Sequence, residues 1–115
     1  MSERYAFDYL ELPSADGAAS RAFFERAFGW HCTGYGPTYD GIDDAGIAVG
    51  IQADPSEATA APLAIVRTQD LEQAERDVLA AGGVITRAAF DFPGGRRFHF
   101  REPGGNELAV WVARE

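Results

Sequence analysis

The chain has 115 residues, of which 46% are hydrophobic and 24% charged, and its formal net charge is -8. This length and balance predict one globular domain over residues 1–115 and argue against a disordered chain. The acidic charge argues against nucleic acid and anionic membrane as partners, because both are bound by basic surfaces.

The first half of the chain predicts the order β-α-β-β-β. Residues 5–12 alternate as a strand that Pro13 ends, and the segment 14–16 offers N-cap side chains for a helix over residues 18–28. Gly29 is a natural C-cap. Three short strands are expected next, over residues 30–35, 37–43 and 46–52.

The second half repeats this order after a linker. Residues 53–62 are polar and Ala-rich, and a strand follows at 63–67. Asp70 is the expected N-cap of the second helix, with Gln73 as its capping-box partner. The helix is expected to bury a stripe of four residues and to end at Gly82-Gly83; these four are Leu71, Ala74, Val78 and Ala81. Strands are expected at 84–92, 96–101 and 107–112.

The two halves therefore form an internal duplication at a spacing of roughly fifty residues. We expect an α+β fold of two βαβββ modules, the first over residues 1–52 and the second over 63–115. Each helix would cover one face of its strands. The other faces would form a curved mixed sheet around an open trough, which is a natural place for a small ligand.

Three segments carry a resemblance to a known family. They are the run Leu10-Glu11-Leu12-Pro13 with the aromatic stretch 22–30, the helix from Asp70 to Gly82-Gly83, and the turn Glu102-Pro103-Gly104-Gly105-Asn106 before the last strand. In order and spacing the chain resembles the vicinal oxygen chelate superfamily, which includes glyoxalases, extradiol dioxygenases and bleomycin-resistance proteins. The resemblance covers nearly the whole chain and implies the same two-module fold.

The resemblance also implies four metal-ligand positions, two in each module, which enzymes of the family fill with His, Glu or Gln. Carried over by position, they fall on Tyr9, about Gly50, about Leu63, and Ala109. Three of these residues have no side-chain donor, and a divalent cation needs several N or O ligands at once. We therefore expect no metal and no other cofactor. A register slip of one residue would instead offer Glu107 or Gln52.

The polar and aromatic residues of the strand face turned away from the helices are the candidate site. His99 is the candidate acid or base and Glu11 its carboxylate partner, because imidazole titrates near neutral pH. The expected ligand contacts are Phe7, Tyr9, Gln52, Arg97, Arg101 and Trp111. As alternatives, His99 is an ordinary hydrogen-bonded strand histidine, Glu11 pairs with an arginine at the rim, and Tyr9 and Trp111 only pack.

Two kinds of function fit these features. The first is a metal-independent small-molecule binding protein, similar to the bleomycin-resistance branch, that holds a planar or cationic ligand in the trough. The second is an enzyme: a glyoxalase-type lyase, isomerase or dioxygenase with a non-standard metal site, or a metal-free acid/base enzyme that uses His99 and Glu11. The resemblance implies a homodimer, with the modules paired within or between chains. A single cysteine, Cys32, and the lack of an apolar opening segment favour a cytoplasmic protein.

Overall fold

The computed structural model describes residues 5–114. Its elements, in chain order, are β1 (Ala6–Pro13), α1 (Gly17–Phe28), β2 (Cys32–Gly34), β3 (Tyr39–Ile42), β4 (Ala48–Gln52), β5 (Leu63–Arg67), α2 (Leu71–Ala80), β6 (Val84–Phe92), β7 (Gly95–Arg101) and β8 (Glu107–Ala113). This order confirms the predicted α+β class with two βαβββ modules. Residues 53–62, expected as a linker, carry neither helix nor strand.

The chain divides into two compact units whose boundary falls inside β1. The N-terminal unit is Tyr9–Leu63. The C-terminal unit joins residues 5–8 to residues 64–114. The start of β1 therefore belongs with the second module, and Tyr5 donates a hydrogen bond to Asp77 of α2. The alternation of residues along β1 could not show that its start belongs to the other unit, because that grouping depends on contacts with residues distant in sequence.

The N-terminal unit contains strands in the order β2-β3-β4-β1, with β1 and β4 parallel and the other neighbours antiparallel. Its core is built from Ile42, Val49 and Ile51, against which Leu12 and Phe24 pack. Helix α1 begins at the Asp16 N-cap, whose carboxylate accepts from the Ala19 amide, and ends at Gly29 with φ of 70°.

Burial along α1 differs from the expectation of a core-facing helix. None of the residues Gly17–Phe28 is fully buried, and Phe23 and Phe28 are 56% and 58% exposed. Their rings instead join Phe24 and Trp30 in an aromatic cluster, and of these four rings Phe24 and Trp30 also pack against the core. The sequence pattern therefore predicted the helix but not how much of each ring is covered.

The C-terminal unit contains strands in the order β5-β8-β7-β6, with β5 and β8 parallel. Ala74 of α2 lies on Phe98, Phe100 and Val110 of the sheet. The Asp70 N-cap is confirmed, since its carboxylate accepts from the Gln73 amide at 3.0 Å.

Two details of α2 differ from the prediction. The Gln73 side chain donates to Asp77 at 2.8 Å instead of closing a capping box with Asp70. Of the expected buried stripe only Ala74 is fully buried, and Ala81 is exposed. No helix within residues 5–114 is long and apolar enough to cross a membrane. The expected homodimer stays a prediction.

The core assignment is tested by one substitution at two positions of the same segment. Ile51 is 1% exposed and Ile47 is 48% exposed. We expect Ile51→Val to lower the free energy of unfolding by about 1 kcal/mol, because it removes a buried methylene group. Urea denaturation measures the change. The control Ile47→Val should change it by less than ~0.5 kcal/mol, and equal effects would contradict the assigned core.

Candidate functional site

In each unit the strands have one face that packs on the helix and one face turned away from it. In the C-terminal unit Phe98 and Val110 pack toward α2. Their strand neighbours point to the opposite face because side chains alternate along a strand. His99 and Ala109 are paired across β7 and β8 on that face, and so are Arg97 and Trp111. The predicted register of β8 is the one found.

His99 is the most buried polar residue of this face, with 2% of its surface exposed. Its Nδ1 lies 3.5 Å from Oε2 of Glu107, and the same oxygen accepts a hydrogen bond of 2.8 Å from Thr86. Burial lowers the pKa of His99, and the Arg97 guanidinium lowers it further, while Glu107 acts in the opposite direction. The two largest effects on its pKa thus favour the neutral imidazole.

One ring nitrogen of His99 has no hydrogen-bond partner. Its Nε2 is inaccessible to solvent, and no donor or acceptor of the described chain reaches it. Buried polar atoms in proteins almost always have a partner, so this nitrogen is an exception that needs a physical explanation. The alternative that His99 is an ordinary strand histidine bonded to a neighbour remains compatible with the Glu107 contact at Nδ1.

One aromatic ring of β6 lies beside the imidazole, and a second ring of β6 lies beside Trp111 of β8. The Phe90 ring lies 5.8 Å from the His99 ring, centroid to centroid, and Phe92 lies 6.2 Å from Trp111. The Arg87 guanidinium stacks 3.6 Å above the Phe90 ring. We call the three rings Phe90, Phe92 and Trp111 the aromatic face.

Trp111 is held in place by an acidic residue from β1. Its Nε1 donates to Oδ1 of Asp8 at 2.8 Å, and Oδ2 of Asp8 lies 3.4 Å from Nε of Arg67. A half-buried indole whose N–H is satisfied presents a rigid apolar surface. The alternative that Trp111 serves packing alone remains compatible with these contacts.

In the N-terminal unit the face opposite α1 carries a chain of hydroxyl hydrogen bonds. Tyr39 donates to Oε2 of Glu11 at 2.8 Å, and the hydroxyls of Tyr39 and Tyr9 are 2.6 Å apart. Glu11 is 4% exposed. Burial and the Glu11 carboxylate raise the pKa of the Tyr39 phenol, so it stays protonated. We call Tyr9, Tyr39 and Glu11 the hydroxyl cluster.

Glycines make room for these tyrosines. A Cβ atom at Gly50 would collide with the hydroxyl oxygens of Tyr39 and Tyr9. Gly50 pairs with Gly41 on β3, where a Cβ would meet the Tyr35 ring at 2.8 Å. The space that a side chain at position 50 would need is filled by the hydroxyl cluster.

The remaining predicted contacts have other surroundings. Gln52 is buried, and its carbonyl oxygen accepts from the Asp54 amide at 3.0 Å. Arg101 is exposed and donates to the Gly105 carbonyl at 2.7 Å, which fixes the turn before β8. Phe7 is 63% exposed. The structure thus brings Arg97, His99 and Trp111 together in one unit, and Tyr9 and Glu11 in the other.

Sequence reasoning missed Tyr39, Phe90 and Arg87 as parts of these faces. Tyr39 lies within the strand expected over residues 37–43 but was given no role there, and Glu107 was considered as a metal ligand only through a register slip. The one signal for Tyr39 in the sequence is that it is an aromatic residue between the polar Thr38 and Asp40, in a segment that has a glycine at each end, Gly36 and Gly41. The position of Phe90 depends on irregular pairing of β6 with β7, between Ile85 and Phe90. Simple alternation does not reveal such an irregularity.

The four positions implied for a metal do not fit one. The Tyr9 hydroxyl is bonded to Tyr39, Gly50 has no side chain, and the buried side chains of Leu63 and Ala109 are hydrocarbon. Within residues 5–114 no group of three His, Cys, Asp or Glu side chains could hold a metal ion.

Comparison with known proteins agrees with this architecture. The sequence profile of the Glyoxalase/Bleomycin resistance protein/Dioxygenase superfamily matches residues 6–110. No curated protein matched the chain.

Solved structures share the fold at low sequence identity. A superfamily member from Vibrio splendidus 12B01 has 16% identity and a TM-score of 0.71, over 90% of this chain and 96% of that one. Methylmalonyl-CoA epimerase from Mycobacterium tuberculosis has 14% identity and a TM-score of 0.72, over 95% and 88%. The Mn(II)-bound glyoxalase from Novosphingobium aromaticivorans has 16% identity and a TM-score of 0.62, over 95% and 38%. On the profile match and this shared fold, the chain belongs to the Glyoxalase/Bleomycin resistance protein/Dioxygenase superfamily.

Proposed function

We propose that this protein binds a planar small molecule, without a metal ion, against the aromatic face of its C-terminal unit. The observation that carries the proposal is the aromatic face itself: Phe90 lies beside the buried His99 imidazole, and Phe92 lies beside Trp111. The Arg97 guanidinium lies 5.3 Å from the Phe90 ring and 5.6 Å from the Phe92 ring and so connects the two pairs. Flat aromatic surfaces favour flat ligands, since stacking and apolar burial both scale with ring contact. The formal charge of -8 favours a cationic ligand at long range.

Metal independence is part of the proposal because of the donor set. Three of the four positions that the family uses for ligands carry glycine, leucine and alanine here. The fourth, Tyr9, already shares a hydrogen bond of 2.6 Å with Tyr39. A manganese-bound glyoxalase shares the fold, but fold similarity does not transfer a ligand set.

A metal-free acid/base enzyme is the second candidate. It is favoured by the neutral, buried imidazole of His99, whose Nδ1 contacts a carboxylate while Nε2 has no partner among the described residues. This is the arrangement in which a histidine accepts a proton. The carboxylate that the imidazole contacts is Glu107, whereas the predicted partner Glu11 lies in the other unit. Conversion of a ligand found by binding, lost in His99→Gln, would favour this candidate over binding alone.

Binding is tested by thermal shift with three flat probes that differ in charge: 9-aminoacridine, 2-naphthol and 2-naphthoate. We expect at least one to stabilise the protein, by about 2.7 kcal/mol at a concentration 100 times its dissociation constant. Trp111→Ala should abolish the shift because it removes one ring of the aromatic face.

The control for this experiment is Tyr35→Ala, which removes an exposed ring from the other unit. It should leave the shift unchanged. A shift that survives in Trp111→Ala would locate the ligand elsewhere, and no shift with any probe would contradict the binding proposal. The order of the three probes measures the preferred ligand charge.

Metal independence is tested by elemental analysis and calorimetry. Protein dialysed against a chelator and then titrated with Mn²⁺, Ni²⁺ or Zn²⁺ should bind less than a stoichiometric amount of each. The reason is that the four family positions supply one oxygen donor, and several are needed. One tightly bound equivalent of any of these metals would refute this part of the proposal.

The hydroxyl cluster is tested by Tyr39→Phe, which keeps the ring and removes the hydroxyl. We expect the free energy of unfolding to fall by about 1–3 kcal/mol, because buried Glu11 loses a hydrogen-bond donor. Denaturation at neutral pH measures it. Tyr35→Phe makes the same change on a ring that is 66% exposed, and it should cost less than ~0.5 kcal/mol. Similar losses for both would mean that the cluster does not stabilise the unit.

A further inference from the structure

We propose that Nε2 of His99 is a specificity-determining hydrogen-bond acceptor, so that the preferred ligand is a flat ring bearing an O–H or N–H donor. This inference rests on the proposed binding function and names the ligand chemistry that it selects. Phenols and N–H heteroaromatics are the class it describes.

The first step is the position of the proton on the imidazole. Glu107 Oε2 lies 3.5 Å from Nδ1 of His99, and a carboxylate oxygen can only accept. Thr86 donates to that same oxygen and fixes it in place. The single proton of the neutral ring is therefore placed on Nδ1, which leaves a lone pair on Nε2.

The second step is the lack of a partner for that lone pair. His99 is 2% exposed, and Nε2 meets no hydrogen-bonding atom of the described chain. An acceptor buried in this way loses its hydrogen bonds to water and regains nothing. A ligand that donates a hydrogen bond to Nε2 removes this cost, whereas a ligand without a donor retains it.

The third step is the shape of the surroundings. The Phe90 ring lies 5.8 Å from the imidazole, and Arg87 stacks on it. Because Nε2 is enclosed, a ligand reaches it only when a neighbouring half-buried ring such as Phe90 turns aside. A flat ring beside the imidazole then keeps the apolar contact with Phe90 and adds the missing donor.

Matched probes test the inference by calorimetry. 2-Naphthol has a donor; 2-methoxynaphthalene and naphthalene have the same ring system without one, and one is larger and the other smaller than 2-naphthol. We expect 2-naphthol to bind about threefold to tenfold more tightly than both, which is the effect of one hydrogen bond. His99→Phe should remove the preference, and His99→Gln, which retains an acceptor oxygen, should preserve it.

Nitrogen NMR of the wild-type histidines tests the proton position without any ligand. We expect His99 to carry its proton on Nδ1, and its Nε2 resonance to shift when 2-naphthol is added. A proton on Nε2, or equal affinity of the wild type for all three probes, would overturn the inference and leave the binding function standing. Failure of all three to bind would overturn both. If His99→Phe does not fold, the wild-type ratio and the NMR assignment decide.

Discussion

The packing of Phe98 and Val110 against α2 is the constraint on which the candidate site depends. Phe98 is fully buried, and Ala74 of the helix lies directly on the same cluster. Since side chains alternate along a strand, burying these residues places His99 and Ala109 on the opposite face. A slip of one residue would expose the core and bury Glu107. The need to bury the apolar residues against α2 thus determines which polar side chains lie on the other face of this unit.

In the N-terminal unit the polar side chains on the face opposite α1 are joined by hydrogen bonds in the hydroxyl cluster. Glycine at position 50 has two effects, because it removes a side-chain donor and leaves the space that the Tyr39 and Tyr9 hydroxyls occupy. A buried carboxylate such as Glu11 needs donors around it. The Tyr39 phenol supplies one and is itself kept protonated by burial and by the carboxylate. The hydrogen bonds among Glu11, Tyr39 and Tyr9 thus give the buried carboxylate a partner from within the chain.

Periodicity and turn residues predicted most of the fold. Strands β5 and β6 begin and end at the predicted residues, and the Asp70 cap and the Gly29 C-cap lie where their residue types indicated. Burial was harder to predict. The stripe on α2 reduces to Ala74 as its fully buried member, and Phe23 and Phe28 of α1 remain exposed. Spacing shows which residues share a helix face, but the covered area depends on what packs there.

The site was predictable where the side chains alternate regularly along their strands. The alternation of β7 and β8 placed His99, Arg97 and Trp111 on one face, and the structure agrees. Tyr39 could not be assigned in this way, because its role arises from the missing side chain of Gly50 on a neighbouring strand. Phe90 could not be assigned either, since the pairing of β6 with β7 is irregular before it.

The same reasoning explains how one fold can carry different chemistry at the same positions. The helix-facing residues of each strand maintain the core, and the residues between them carry the site chemistry. Ala109 lies between Leu108 and Val110 on the side away from α2 and is fully buried, so a larger donor side chain there would need space that its methyl group does not. The residue type at position 109 also decides whether His99, on the neighbouring strand, has a hydrogen-bond partner there. Opposite Ala109 in the ladder lies His99, and a methyl group offers its imidazole no hydrogen bond, so the selectivity of this face depends on what else donates to Nε2.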